Sequence, residues 1–524
     1  MPFLVFVAEH AALLLLLLAC AAGMGTLFAR SMPLALRAAL GLGVWSEALF
    51  LLAAIGQLKP LPIAALAILS LVSIRPPATG TPHLVLFGLF LPLALLALHP
   101  PIAFDETLYH LPTIRSLATY GHLRYAAELR FPVFPQLQEL LCVPLYLLAG
   151  DTATHLVSLA EALITAALLL EWGGWLAAAF FLGGPIVIYL ATVGYVDMAL
   201  TLFVAAAFYC IDREKPLAGG FFLGLACGVK YLGGYFAFAG LIELLFRNRR
   251  AAAKFAIACA AAALPTTLWI ALTTGGHPLF PFFDSRFTTP RLVSFTLPWR
   301  VLWDVTFAHA RVGFEPPMTP LLIPAVIVLI VAASRDGRAR AIAILSTAYL
   351  VVFAFLPQDT RYLVPLLPLI AIGVAGSIAP QRWLVWIAIA PGLLYAGYRL
   401  HVNGLPPATP AQREAYLSRR VPEYRAVTHA GTGTIYVCGG EQLKAYATGK
   451  LLGDFFGPWA YKNVLDHRSD TASIADRLRA IHAGYYLVAK RVCKPPRATG
   501  GMELVYEDAA AQLWRVQPSQ PSRR

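Results

Sequence analysis

Along most of the chain the apolar residues neither alternate nor recur at a helical period. They fill solid blocks of about 15 to 22 residues, long enough to cross roughly 30 Å of hydrocarbon as helices. The blocks fall at about 11–28, 36–56, 61–74, 84–99, 152–170, 175–191, 197–211, 217–229, 231–246, 254–273, 319–333, 340–356, 361–378 and 383–399, which predicts about 14 spans. Only helices or closed barrels satisfy the backbone in lipid, and these blocks are too long for barrel strands. A charge at the centre of a span costs about 2.5–3.5 kcal/mol, so Lys230 predicts a hairpin with the ammonium at its tip rather than one helix over 217–246. Two polar stretches are too long for turns. The 100–151 segment is expected to form juxtamembrane helices, its 134–148 part being short and marked by proline, and 275–318 a loop folded over the membrane surface. After about residue 405 the pattern changes to short β-like runs at 434–438, 485–489, 503–506 and 512–516 with a helical pattern at 474–483. The expected fold is an α-helical polytopic membrane protein over 1–404 with a small C-terminal α/β soluble domain over 405–524.

Composition agrees: 58% of the 524 residues are hydrophobic and 13% charged, against about a quarter charged in soluble domains. The formal net charge of +13 does not imply nucleic acid, because the basic residues sit in short runs between apolar blocks, as at Arg247, Arg249, Arg250 and Lys254. Counting them on alternate connections puts Arg30, Arg37, Arg75, Arg213, Lys215, the 247–254 run, the 335–340 turn and Arg382 inside. The 100–151 and 275–318 segments, Lys230, 357–361 and the tail then face outward, as expected of a multi-pass bacterial inner-membrane protein. The 11–28 block lacks a basic preceding region and reads as a retained helix; the Leu17-Leu18-Ala19-Cys20 match to a lipoprotein box is cheap in such a helix. The seven cysteines have no metal-ligand spacing. Cys438 and Cys493 follow predicted strands in an oxidising compartment and are disulfide candidates.

The segment Phe104-Asp105-Glu106-Thr107-Leu108-Tyr109-His110-Leu111-Pro112 follows a span directly. Two adjacent carboxylates at a membrane surface are costly without a cationic partner or a task. They serve either a helix N-terminus or acid–base chemistry, in which a carboxylate takes the proton of a hydroxyl attacking an anomeric carbon. On a helix Asp105 and Tyr109 share a face while Glu106 points about 100° away, so Asp105 is the better base.

This segment, the proline-marked Phe131-Pro132-Val133-Phe134-Pro135-Gln136-Leu137, Gly194-Tyr195-Val196-Asp197, Gly224 to Lys230, Gly276-His277-Pro278-Leu279-Phe280-Pro281 and Thr360-Arg361-Tyr362-Leu363-Val364-Pro365 follow one another in an order that resembles the GT-C superfamily. The branch it resembles holds bacterial protein O-mannosyltransferases and lipid A aminoarabinose transferases. The resemblance spans about 100–380, with about three extra spans before the acidic pair. It implies a GT-C-like bundle and an inverting glycosyltransferase that moves a sugar from a polyprenyl-phosphate donor to a lipid, glycan or protein acceptor on the extracytoplasmic side of the bilayer. It also implies Asp105 as base, Glu106 as helper or metal contact, and Lys230 and Arg361 on the lipid phosphate. Tyr109, His110, Arg115, Asp197, His277 and Tyr362 are the further substrate-binding candidates. No cofactor is certain, and a divalent metal is left open.

Each candidate has a plainer reading. Lys230 and Arg361 could snorkel to the interface, Asp197 could cap its span, His277 could be an ordinary loop residue, and Arg115 with Arg130 could only balance charge. A transporter or flippase would place charge along a through-pathway. A polysaccharide polymerase or ligase would gather its cations in one loop, as Arg286, Arg291, Arg300, His309 and Arg311 could do in 275–318.

Overall fold

The computed structural model describes residues 1–75, 91–282, 284, 297–313, 315–355, 358–379, 381–453, 471–496 and 500–518. Five helices in it are long and apolar enough to cross a bilayer: Pro2–Phe28, Leu34–Ala54, Thr152–Leu182, Arg249–Thr273 and Arg382–Asn403. Among the shorter apolar helices, Leu137–Ala149 and Pro216–Val229 are largely buried, whereas Pro60–Val72 and Leu322–Ala333 bury only a few residues each. The centre of the bundle is the Asp197–Asp212 helix, with fifteen of its sixteen residues buried. Pro2–Phe28 instead shows exposed leucines on much of its surface, as a lipid-facing helix does.

The blocks expected at 152–170 and 175–191 join through Gly174, whose φ of 74° and ψ of −171° break an otherwise continuous helix. That backbone region is open to glycine and strained for other residues. The chain reverses there, because Ser158 Oγ donates to Tyr195 O and so both ends of the stretch reach one end of the bundle. The hairpin expected around Lys230 is present, with helices Pro216–Val229 and Gly233–Arg247 on either side. The juxtamembrane stretch folds as Leu111–Tyr120 and Leu137–Ala149. The second helix is buried rather than laid on a surface, since its polar residues find partners inside: Gln138 donates to Glu161, and Glu139 pairs with His110.

The tail holds a five-stranded sheet of β1 (Ile435–Cys438), β2 (Leu451–Leu452), β3 (Tyr485–Ala489), β4 (Met502–Glu507) and β5 (Ala511–Val516) in the order β2-β1-β3-β5-β4. β1 pairs in parallel with β2 and β3, and β5 runs antiparallel to β3 and β4. The two-residue β2 was not foreseen. Cys438 and Cys493 form a disulfide with Cα atoms 6.1 Å apart. One face of the sheet packs on Ile474, Ala475 and Leu478 of the Thr471–Ala480 helix. The other face buries Leu108 and, partly, Tyr109 from the membrane bundle. Tyr446 donates to the Pro101 carbonyl, His99 Nε2 lies 3.2 Å from Gly404 O, and Arg413 pairs with Asp151 at 2.6 Å. The sheet domain therefore sits directly on the segment that carries Asp105.

Candidate functional site

Phe104 and Asp105 open a helix that widens into a π turn over Glu106–His110 before regular helix resumes. Such turns re-aim side chains and are frequent at functional sites. Asp105 has helical backbone angles and makes no side-chain cap. Its Oδ2 instead accepts from Arg361 Nη2 at 2.6 Å and from the Tyr109 hydroxyl at 3.2 Å. Asp105 and Tyr109 thus share a face, as the spacing predicts.

Glu106 points away. Its carboxylate takes hydrogen bonds from Gly194 N at 2.7 Å and Ala103 N at 3.3 Å and pairs with His155 Nε2. Fully buried, it ties three segments together and turns no oxygen toward Asp105's partners. A Cβ on Gly194 would lie 2.4 Å from Glu106 Oε1, so this backbone approach requires glycine.

On the other side of Asp105, Arg361 also pairs with Asp359 at 3.0 Å, and its guanidinium lies over the rings of Tyr195 and Tyr362 at 4.7 and 5.4 Å. Lys230 Nζ pairs with Asp197 Oδ1 at 2.8 Å and sits 4.2 Å from the Tyr362 ring centre. Asp105, Tyr109, Arg361, Tyr362, Lys230 and Asp197, from four separate regions of sequence, therefore form one cluster at one end of the bundle. Asp197 is 1% exposed, whereas the Asp105 and Lys230 side chains keep 18% and 23% of their surface, so the cluster has a solvent-facing side. Burial pushes the Asp105 carboxyl up, but Arg361, His110 and Lys230 together outweigh it and hold the carboxyl below its usual range. Burial and the Asp105 charge keep the Tyr109 hydroxyl protonated, as a donor.

His110 belongs to the layer behind. It pairs with Glu139 at 2.5 Å and packs at a tilt against Tyr109, whose ring also meets Phe131 and Phe134 edge-on. Two of the candidates lie elsewhere. Arg115 donates to the Ala445 carbonyl of the sheet domain, and His277 is exposed on a turn. Of the loop cations, Arg300 and Arg311, both exposed, flank the buried Asp304, and Arg286 and Arg291 lie outside the described residues.

The sequence reading missed Asp359, Glu315 and His155. Asp359 stands two residues before Arg361, and Glu315 reaches it from another loop. Burial first, then repulsion by Asp359, pushes the Glu315 carboxyl up to about 7. For Asp359 the available signal was an acid in the short 357–361 connection between apolar blocks; Glu315 and His155 carried none. Among the described residues, no group of three or more His, Cys, Asp or Glu side chains is placed to hold a metal ion.

Helices gather around a buried central span, with a carboxylate-bearing juxtamembrane turn under a small sheet domain, and this fold recurs among solved structures. Two crystal structures of ArnT from Cupriavidus metallidurans share it. The apo form matches with a TM-score of 0.56 and 16% identity, and the form bound to undecaprenyl phosphate with 0.54 and 17%; each match covers 82% of this chain and 96% of ArnT. A family model described as SF2091/S2213 matches residues 412–515, the sheet domain. No curated protein matches the sequence.

Proposed function

We propose that this protein is an inverting glycosyltransferase that moves a sugar from a polyprenyl-phosphate donor to an acceptor on the extracytoplasmic side of the membrane, with Asp105 as base. The observation that carries the reading is the Asp105–Arg361 ion pair at 2.6 Å with Lys230 nearby, at a partly open end of the bundle. An inverting displacement needs a proton acceptor on one side of the anomeric carbon and fixed cations where phosphate charge develops on the other. In the resting structure Arg361 holds Asp105 ionised and weakly basic. A donor phosphate drawing on Arg361 would loosen that pair and make the carboxylate more basic as the acceptor arrives. Each charge would then have its use only when both substrates are present. Lys230, tied to Asp197 and half-turned to solvent, is the second phosphate ligand. The fold shared with an ArnT structure bound to undecaprenyl phosphate supports a lipid-phosphate donor.

The division into a 1–404 catalytic bundle and a 405–524 outer domain belongs to the same proposal, as does the sidedness. The basic turns assigned inside gather at the end opposite Asp105, where Arg338 pairs with Asp212 beside Trp172. A flippase is disfavoured because the charged cluster occupies one end and not a path between the two.

The test is transfer from a panel of labelled polyprenyl-phosphate sugars by purified protein in nanodiscs. Asp105→Asn should lower turnover about 10²–10⁴-fold while donor binding persists. Lys230→Ala and Arg361→Ala should weaken donor binding and turnover together. Near-normal transfer by folded Asp105→Asn would remove Asp105 from the role.

A further inference from the structure

Three arginines gather where the last membrane helix meets the tail. Arg399 lies near the end of the Arg382–Asn403 span, and Arg419 and Arg420 close the Pro410–Arg420 helix that follows it. Arg399 Nη1 donates to Thr192 Oγ1 at 2.6 Å, and its guanidinium lies over the Tyr189 ring at 5.2 Å. Thr192 stands three residues before Tyr195, whose hydroxyl accepts from Asp105 N, so the arginines are at the Asp105 end of the bundle. Arg420 Nη2 donates to the Asn403 side chain and reaches the Val402 carbonyl at 3.4 Å. Asn403 is one turn beyond Arg399, so Arg399 and the group that Arg420 holds share a face of the span. Arg419 and Arg420 lie 5.9 and 6.0 Å from the Tyr416 ring centre, and the His99 ring meets the same tyrosine at 5.4 Å.

Every one of these partners is neutral: a hydroxyl, an amide, a carbonyl and aromatic rings. The acids of the neighbourhood are engaged elsewhere, Asp151 with Arg413, Glu414 with the Tyr424 hydroxyl and Glu423 with Arg491. Among the described residues, no carboxylate is paired with Arg399, Arg419 or Arg420. Holding three like charges together costs energy that a bound anion offsets. Membrane orientation does not account for them either, since basic residues favour the end opposite Asp105.

The surface below the arginines identifies the anion. Leu394, Tyr398 and Val402 recur every four residues on the same span and are all exposed, a stripe that faces acyl chains. Guanidiniums at the head of such a stripe stand at the level of lipid headgroups. We infer that Arg399, Arg419 and Arg420 bind the phosphate of an anionic phospholipid whose acyl chains lie along Leu394, Tyr398 and Val402. Such a lipid ties the last span to the first helix of the tail. The site is independent of the chemistry proposed at Asp105.

The full chain in uncharged detergent is titrated with dihexanoyl phosphatidylglycerol, dihexanoyl phosphatidylcholine and inorganic phosphate, and thermal unfolding is followed. Phosphatidylglycerol should raise the melting temperature saturably, as a ligand of the folded state does, and phosphatidylcholine should not. One cation at a lipid surface is worth roughly 5-fold in affinity, so Arg419→Gln should weaken phosphatidylglycerol binding by about that factor and Arg419→Gln/Arg420→Gln by roughly 30-fold. Arg419 is exposed and among the described residues touches only the Tyr416 ring, so the single variant decides the matter if the double variant does not fold. Arg515→Gln, exposed on β5, is the control that should leave binding unchanged. The inference is overturned if phosphatidylglycerol gives no saturable shift, if phosphatidylcholine stabilises equally, or if folded Arg419→Gln binds phosphatidylglycerol as the parent does. Equal protection by inorganic phosphate at the same concentration overturns the assignment to a lipid.

Discussion

Replacing Gly194 by alanine is the sharpest structural test of how the site is held. The added Cβ would stand 2.4 Å from Glu106 Oε1, 3.2 Å from its Cδ and 3.3 Å from its Cγ. Real Cβ contacts do not fall below about 3 Å, so the carboxylate must retreat by at least roughly 0.6 Å. It cannot do so freely, because the same group accepts from Gly194 N and Ala103 N and pairs with His155. Each hydrogen bond to a charged group is worth about 1.5–3 kcal/mol, and losing the Gly194 bond while stretching a second should cost about 2–4 kcal/mol. Asp105 is the next residue back along the chain, so the displacement should also lower transfer, with donor affinity little changed. Differential scanning fluorimetry with transfer kinetics on Gly194→Ala, Glu106→Ala and the double variant makes a cycle. The double variant should be no worse than Glu106→Ala, since the clash needs the carboxylate. If Gly194→Ala melts and transfers like the parent, or if the two effects simply add, the clamp is not what holds this turn.

The remaining predictions concern the rest of the molecule. Removing the disulfide with Cys438→Ser/Cys493→Ser frees a 55-residue loop, worth about 4 kcal/mol of unfolded-state entropy, and should lower the melting temperature of the sheet domain as much as reductant lowers that of the parent. Glu315 binds its proton more tightly folded than unfolded, so stability should fall as pH rises from about 4.5 through about 7, and Glu315→Gln should flatten that slope in pH-dependent melting. Leu108→Ala removes a fully buried side chain shared by two units and should cost about 2–5 kcal/mol, read as earlier melting and as new protease cleavage between 404 and 424.

Much of this architecture is legible in the sequence because its rules are severe. The hairpin at Lys230 follows from the cost of a charge in lipid, and the strands at 435–438, 485–489, 502–507 and 511–516 follow from β-branched and aromatic runs. The pairing of Asp105 with Tyr109 follows from helical spacing alone. What spacing does not carry is the direction in which a neighbouring acid points. Glu106 was expected to help at the site, yet it faces Gly194 and His155, whose approach depends on chain reversal at Gly174. Arg115 lies in the right segment but a helix turn or more beyond the reach of Asp105, where the sheet domain takes it up. Asp359 was passed over because a short loop acid has no period to mark it.

The position of Leu108 also sets an order of events during synthesis. Asp105 lies on a turn whose outer side is completed by the core of Tyr416, Val427, Leu443 and Leu513, all made much later. Some 330 residues separate Arg115 from its partner Ala445, which at about 5–20 residues per second is roughly 15–65 s of translation. Until that last portion has been made and folded, the turn bearing the carboxylate has one bare face. A chain released early would insert its helices in the membrane and still lack the cover of this turn, so the site is ordered only after the sheet domain has been made.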